Sequence, residues 1–460
     1  MTWRVFTVLA LLAPLNACAA APASLLEEAG GAVSQTLCSK TFISGISPET
    51  AYAEHLRPQP GMGLIDWSVH YDVDRINRQV RTRVAGGVER TSVYAEGRGC
   101  TILYPDIAPP APLSALAHTP ALLPDIAGTD RVVTRDPGLQ RALDAAFAEP
   151  ARGTPRATKA VVIIHNDHVI AEQYAQGYTV GTPVISHSIA KSVISSLVGV
   201  LVRDGLLDIH KPAPVMAWQN DPRRAITIDN LLRMTAGFGF DEGNGSSIAT
   251  QIWYTKADGA AAAAAATASA APGAAWGYSS RSYMLLSRIV ADAVGGTPQA
   301  MHDFAQRALF DPLGMQHVTM EFDASGNAMG AHAMFATPRD WARLGMLYLD
   351  DGVVGGTRIL PEGWVRFVTT PSGEAGYGAG FWLNTTDAEI GPWHMKWGIP
   401  GAPRNAFMAR GYLGQYVVVV PSANLVVARF GVSHGRNGEI ASVGALVRDV
   451  IAITSAGKTG

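Results

Sequence analysis

Ser188 and Lys191 stand three residues apart at the head of the apolar run Val184–Val202. Val193, Leu197, Val200 and Leu201 recur at helical spacing there, and Ile194 and Val198 fill much of the remaining circumference. Such a segment reads as a helix buried in a core. The spacing puts the serine hydroxyl and the lysine amine on one helix face. Burial disfavours the charged form of an amine, which makes Lys191 a proton acceptor for the hydroxyl beside it. Free backbone N–H groups at the helix N-terminus suit a developing oxyanion. The chemistry these parts permit is nucleophilic acyl transfer. The spacing alone is a weak signal: a capping serine followed by a snorkelling lysine has the same letters. It also recurs at Ser455–Lys458, where no helix follows to bury it.

The elements that must position this pair can be read on either side of it. Asp136–Ala148 is expected to be a helix, and Ala160–Ile164 and Val169–Tyr174 form a hairpin around Asn166-Asp167. His165 and His168 flank that turn without a carboxylate or cysteine cluster, so no metal or other cofactor is expected. Ile226–Gly237 reads as a capped helix ending at glycine, and Phe238–Ser247 as a glycine-rich surface loop. Asp241 and Glu242 in that loop are candidates for selecting a cationic amine on a substrate. The alanine run Ala260–Ala266 is helical by propensity and is broken by Pro272-Gly273. Tyr278, with Ser279 and Ser280, then enters the apolar-periodic helix Tyr283–Val294; a loop entering a helix is a common place for a functional tyrosine, and a buried aromatic with a satisfied hydroxyl is the other reading. Ala406–Val420 is a strand, a glycine-bearing turn and a strand. Asn424–Phe430 is the next strand, and Ile440–Ile453 a terminal helix. Gly411 lets backbone N–H groups approach a ligand closely.

Ser188-x-x-Lys191, Tyr278-Ser279-Ser280 and the strand–Gly411–strand element before a C-terminal helix together resemble the serine β-lactamase and penicillin-binding-protein superfamily. The set is most similar to class C β-lactamases, related esterases and 6-aminohexanoate-dimer hydrolases. Ile228–Gly237, Asp340–Gly345 and Gly355–Trp364 support it. The resemblance spans roughly residues 131 to 455. It implies an α+β fold: an antiparallel sheet flanked by helices, a helical subdomain and a small N-terminal α/β extension. It further implies an acyl-enzyme on Ser188, with Lys191 and Tyr278 exchanging protons and the backbone N–H groups of Ser188 and Tyr412 as oxyanion hole. Ser280, Arg410, Gly411, Asp241 and Glu242 are the substrate-pocket candidates.

One departure bears on substrate. The superfamily often carries Lys-Thr-Gly on the strand lining the site. Here Lys458-Thr459-Gly460 ends the chain, Lys396-Trp397-Gly398 lies too far ahead, and Ala409-Arg410-Gly411 holds the position. That form is similar to hydrolases that do not favour β-lactams, which points to a small-molecule ester or amide substrate. A D,D-peptidase, a D-aminopeptidase or a β-lactamase is the alternative, and a non-catalytic sensor or scaffold on the same fold is a second. Gly431-Val432-Ser433-His434-Gly435 matches a nucleophile elbow, but no histidine follows His434 to complete that triad.

The 460 residues carry 48% hydrophobic and 16% charged side chains with net charge −2, a well-cored protein with no electrostatic case for nucleic acid. Arg4 before the apolar run Val5–Leu15 reads as an export signal over residues 1–17, too short to span a bilayer. Leu15-Asn16-Ala17-Cys18 resembles a lipoprotein box that would lipidate Cys18. Plain cleavage near Ala20 or Ala21 is the competing outcome. Either removes one of three cysteines and leaves Cys38 and Cys100, which are expected to pair as a disulfide in a periplasmic compartment, two buried free thiols being the alternative. Residues 18–104 form an accessory block with strands expected at Met62–Asp72, Gln79–Ala85, Thr91–Gly97 and Cys100–Tyr104. A proline-rich linker spans 105–130 and the hydrolase-like domain 131–455. Oligomeric state leaves no sequence signal.

Overall fold

The computed structural model describes residues 23–243, 246–373, 375–387, 389–390, 395–435 and 438–456. The export-signal residues, Cys18, Lys458 and the terminal Lys-Thr-Gly lie outside the described residues.

Helix α1 (Ala23–Phe42) lies on a four-stranded antiparallel sheet, β1 (His70–Asp74), β2 (Gln79–Val84), β3 (Val88–Ala95) and β4 (Gly99–Ile102). Cys38 of α1 and Cys100 of β4 are joined by a disulfide across a Cα–Cα distance of 6.0 Å. Hydroxyls seal the helix to the sheet: Thr82 Oγ1 donates to the Gly30 carbonyl at 2.9 Å, and Ser92 Oγ to Ser34 Oγ at 2.9 Å. The strand expected from Met62 begins only at His70. Met62–Ser68 is helical instead, entered from Gly61 at φ 88°. Its apolar Leu64 and Trp67 face solvent, so no sheet face recruits them.

Residues 105–130 form no helix or strand. Prolines remove many of the donors in this stretch, and remaining amides bond to the body of the protein. Thr119 N–H donates to Asp311 at 2.8 Å and Leu123 N–H to the Pro312 carbonyl at 3.0 Å. Leu123 and Ile126 are buried in the same continuous apolar core as Leu37 and Val450.

Next come α2 (Pro137–Phe147), β5 (Thr158–His165) and β6 (His168–Tyr174). Asn166 and Asp167 take φ of 49° and 67°, the left-handed pair of a two-residue hairpin. After helix α3 (Ile189–Arg203) come α4 (Ser280–Ala293), α5 (Pro338–Leu349), β7 (Trp382–Leu383), β8 (Phe407–Gly411), β9 (Gln415–Val420), β10 (Leu425–Gly431) and α6 (Gly438–Ala456). The main sheet has six antiparallel strands in the order β7-β8-β9-β10-β5-β6. Helix α5 covers one face closely, since a Cβ on Gly345 would meet Val426 at 2.7 Å and Val417 at 2.9 Å. Strand alternation sends Tyr416 and Arg429 to the other face, which α6 covers.

The expected helix at Ile226–Gly237 is shorter, Ile228–Leu232, with Thr227 and Asn230 forming a capping box. Buried serines on α3 are satisfied without water: Ser192 and Ser195 Oγ donate to the carbonyls of Gly380 and Ala379, and Ser196 Oγ meets Tyr348 Oη of α5 at 2.7 Å. No helix among the described residues is long and apolar enough to cross a membrane.

Candidate active site

The chain reaches Ser188 through a forced turn. Val184–Ile185 pairs with Phe335–Ala336 as a short strand, and His187 then takes φ 43° before α3 begins. A left-handed non-glycine residue costs about 1–2 kcal/mol, and here it turns strand into helix so that Ser188 caps α3. The His187 ring stands edge-on to Tyr412 at 5.7 Å and lies 5.5 Å from His332. Burial holds both imidazoles in their neutral form, His332 down to about 3.

Lys191 projects from the first turn of α3 and its side chain is 1% exposed. Its Nζ donates to Ser188 Oγ at 2.9 Å, to the Ala331 carbonyl at 3.0 Å and to Glu242 Oε1 at 3.1 Å. An ammonium has three donors, and these three acceptors use them all. No partner for this amine is legible in the sequence; the structure places the Glu242 carboxylate against it at 3.1 Å. Ala331, a backbone carbonyl, has no sequence signal.

Tyr278 is buried with its ring centroid 4.8 Å from Lys191 Nζ, and its hydroxyl bonds to Ser188. Burial, and then the Glu242 charge, hold its phenolic proton well above the ordinary range. The ring is seated by Trp382, stacked at 5.2 Å, and by Tyr377, edge-on at 5.7 Å; Trp382 in turn stacks on Trp397 at 3.8 Å. These aromatics carry no motif and were not singled out by the sequence.

The remaining candidates divide. Asp241 is not a pocket residue: it receives Arg281 Nε at 2.8 Å, Ser279 Oγ at 2.6 Å and the Ser280 amide at 2.9 Å, with 0% of its side chain exposed. The loop that holds it is therefore not wholly a surface loop. Glu242 does reach the cluster, where Ser280 Oγ bonds to it. Arg410 is corrected too. It pairs with Tyr416 across the ladder, shares the α6 face, and binds Glu439 at 3.3 Å with its guanidinium 4.6 Å from the Trp397 ring centre. Gly411 faces the other way. A Cβ there would come within 2.2 Å of the Ser186 carbonyl, so glycine is required for β8 to run against the nucleophile turn. That contact brings the start of the β8–β9 turn, Tyr412, alongside the same turn, and Tyr412 Oη donates to Gln59 of the N-terminal block at 2.8 Å.

Ser433 in the decoy elbow is no nucleophile. Its hydroxyl donates to the Arg156 carbonyl and takes Arg429 Nη2 at 3.0 Å. His165 and His168 sit at the β5–β6 turn, and no group of three or more metal-ligating side chains occurs among the described residues.

Ser188, Lys191 and Tyr278 are drawn together beside a helix-covered antiparallel sheet, and the comparisons with known proteins agree with that fold. The Beta-lactamase family profile matches residues 143–450, and the chain belongs to that family. A 6-aminohexanoate-dimer hydrolase from Paenarthrobacter ureafaciens is 24% identical over 315 residues, 65% of this chain and 76% of that one. Among solved structures, a Bacillus anthracis protein provisionally described as a 6-aminohexanoate-dimer hydrolase aligns with TM-score 0.53 at 20% identity, over 73% of this chain and 90% of that one. A family VIII carboxylesterase aligns with TM-score 0.52 at 16% identity, over 69% and 97%. These structures establish the fold. The block before residue 143 precedes the family match.

Proposed function

We propose that the protein is a serine hydrolase that cleaves a carboxylic ester or a small linear amide through an acyl-enzyme on Ser188. The observation that carries this reading is the 2.9 Å contact between Lys191 Nζ and Ser188 Oγ at the start of a buried helix. Ser188 Oγ attacks the substrate carbonyl carbon. The π pair moves to oxygen, where the backbone N–H groups of Ser188 and Tyr412 receive it, each such donor contributing about 3 kcal/mol. Lys191 takes the hydroxyl proton, and Tyr278 passes a proton to the departing alcohol or amine. Water then enters by the same route in reverse and frees the acid.

The placement of Arg410 supports one substrate class. A penicillin or peptide stem presents a carboxylate that needs a cation beside the nucleophile, and Arg410 is held by Glu439 on the sheet's far face. This favours an ester or amide without that carboxylate, in keeping with the names of the relatives above. The proposed compartment is the periplasm: the Cys38–Cys100 bond supports an oxidising environment, and the leader supports export. Lipidation at Cys18 remains part of the proposal, to be read from the mass of the mature N-terminus.

The test is a panel of p-nitrophenyl esters, linear amide dimers, nitrocefin and D-amino-acid amides, run with wild type and Ser188→Ala. Ester or amide turnover that vanishes in the variant is expected. Nitrocefin as the preferred substrate, or turnover that survives Ser188→Ala, contradicts the reading.

A further inference from the structure

We propose that Glu242 is the resident proton partner of Lys191: it keeps the lysine charged in the free enzyme and takes its proton when substrate binds. This rests on the acyl-transfer reading and adds a residue to it. The free enzyme presents a difficulty that the Ser–Lys pair does not solve. All three ammonium donors point at acceptors, Ser188 Oγ among them. In that state Lys191 gives a hydrogen bond to the nucleophile and has no lone pair to take its proton. Something must first remove a proton from Nζ, and the acceptor must already touch it.

Of the three acceptors, Ser188 is the nucleophile and Ala331 offers a neutral carbonyl. Only Glu242 is a base. It is also partly open to solvent, 22% of its side chain being exposed against 1% for Lys191. A substrate seated over Ser188 covers that opening. Removing water from an ion pair raises the cost of its two charges and favours the neutral pair. The proton then crosses 3.1 Å from Nζ to Oε1, leaving an amine next to Ser188 and a carboxylic acid next to Ser280.

The balance closes. Nζ–H breaks and Oε1–H forms, giving Lys191 a lone pair. As the Ser188 Oγ–carbon bond forms, that lone pair takes the Oγ proton. Tyr278 delivers the proton of the restored ammonium to the leaving oxygen or nitrogen as its bond to carbon breaks. The proton parked on Glu242 then returns to Lys191, and the resting pair is restored. The charged and titratable groups around Glu242 are Lys191 from α3, Tyr278 from the loop before α4, Tyr377 packed against Tyr278, and the Asp241–Arg281 pair behind it. Arg410 acts on Tyr278 from further off, and neutral His332 follows Ala331.

Glu242→Gln is the test, because glutamine keeps the shape and can still accept from Lys191 but cannot take a proton. In wild type Glu242 can hold the proton that leaves Lys191, so the pair is competent without loss of a proton to solvent. In the variant only a lysine that has lost its proton to solvent can serve. Ester kcat/KM should fall about 100-fold at pH 7 and recover on raising the pH, its rising limb displaced by about 1–3 pH units. A residue that merely held the loop would lower activity in parallel at every pH. A Glu242→Gln profile that superimposes on wild type after scaling overturns the proposal. If that variant does not fold, Glu242→Asp decides: it should keep the wild-type profile with a smaller loss, and a displaced profile there is contrary. Covalent labelling of Ser188 in wild type by a fluorophosphonate separates the two readings. Without labelling the acyl-enzyme reading fails, whereas labelling with an unmoved Glu242→Gln profile removes only the role of Glu242.

Discussion

Asp241 and Glu242 are chain neighbours with the same charge, and their surroundings differ. Asp241 accepts from Arg281, Ser279 Oγ and the Ser280 amide, and water does not reach its side chain. Glu242 meets Lys191 and Ser280 Oγ and keeps part of its surface open. A carboxylate fixed by backbone and a permanently charged guanidinium has no proton to trade, since arginine stays charged. One paired with a lysine beside a hydroxyl does, in the role proposed for Glu242. Identity of charge and position in sequence therefore says little; the partner's ability to give up a proton decides which carboxylate belongs to the chemistry.

That contrast can be broken from either side. Lys191→Ala should cost the most, about 10²–10⁴-fold in kcat/KM, with the fold kept because Glu242 can reach water. Equal loss of structure by circular dichroism would put Lys191 on the structural side with Asp241. Asp241→Ala leaves Arg281 buried without its counter-charge and should cost about 3–5 kcal/mol of stability, read as a lowered urea midpoint. If the midpoint holds and activity alone falls, the two carboxylates have been assigned the wrong way round.

A third outcome concerns pH. His55 and His332 are buried and His187 is partly so; desolvation holds all three neutral, so in each the folded state binds its proton far more weakly than the unfolded chain does. Glu321 runs the other way, burial pushing it up to about 7 from 4.5. Asp350, pushed up to about 6, and Asp323, also raised by burial, act in the same sense as Glu321. Between pH 6.5 and 4.5 the three histidines gain protons on unfolding while these carboxyls lose theirs in part, so a small net drop in stability is expected as pH falls through that window. The slope is bounded by about 1.4 kcal/mol per pH unit for each net proton. Urea midpoints at pH 6.5 and pH 5 check it, and a higher midpoint at pH 5 contradicts the burial of these rings. The smallest effect is expected from Ser280→Ala. It removes one hydrogen bond to Glu242, and since that side chain is partly open to water a solvent donor can replace it, so the net loss should be about 0.5–1 kcal/mol. Ester kcat/KM should fall with little change in the midpoint.

Legibility in the sequence followed the range of the forces involved. The α3 helix, the Asn166-Asp167 hairpin and the Cys38–Cys100 pair rest on local periodicity, turn chemistry and cysteine parity, and each stands where the letters put it. Ser188, Lys191 and Tyr278 were legible as a set because two lie on one helical turn. What failed depended on partners distant in sequence. Met62–Ser68 is apolar but finds no sheet to join. Arg410 is aimed by strand alternation at Glu439, and Asp241 is claimed by Arg281. The Ala331 carbonyl and the Trp382–Trp397 stack leave no trace in residue type, since any residue supplies a carbonyl and most tryptophans are core.

The most direct measurement is intact-mass analysis and peptide mapping after treatment with a fluorophosphonate. A single adduct on Ser188, absent in Ser188→Ala and slowed in Lys191→Ala, is the predicted result. An adduct on Ser433 or any other serine, or no adduct on folded wild type, would contradict the claim that Lys191 and Tyr278 make Ser188 a nucleophile.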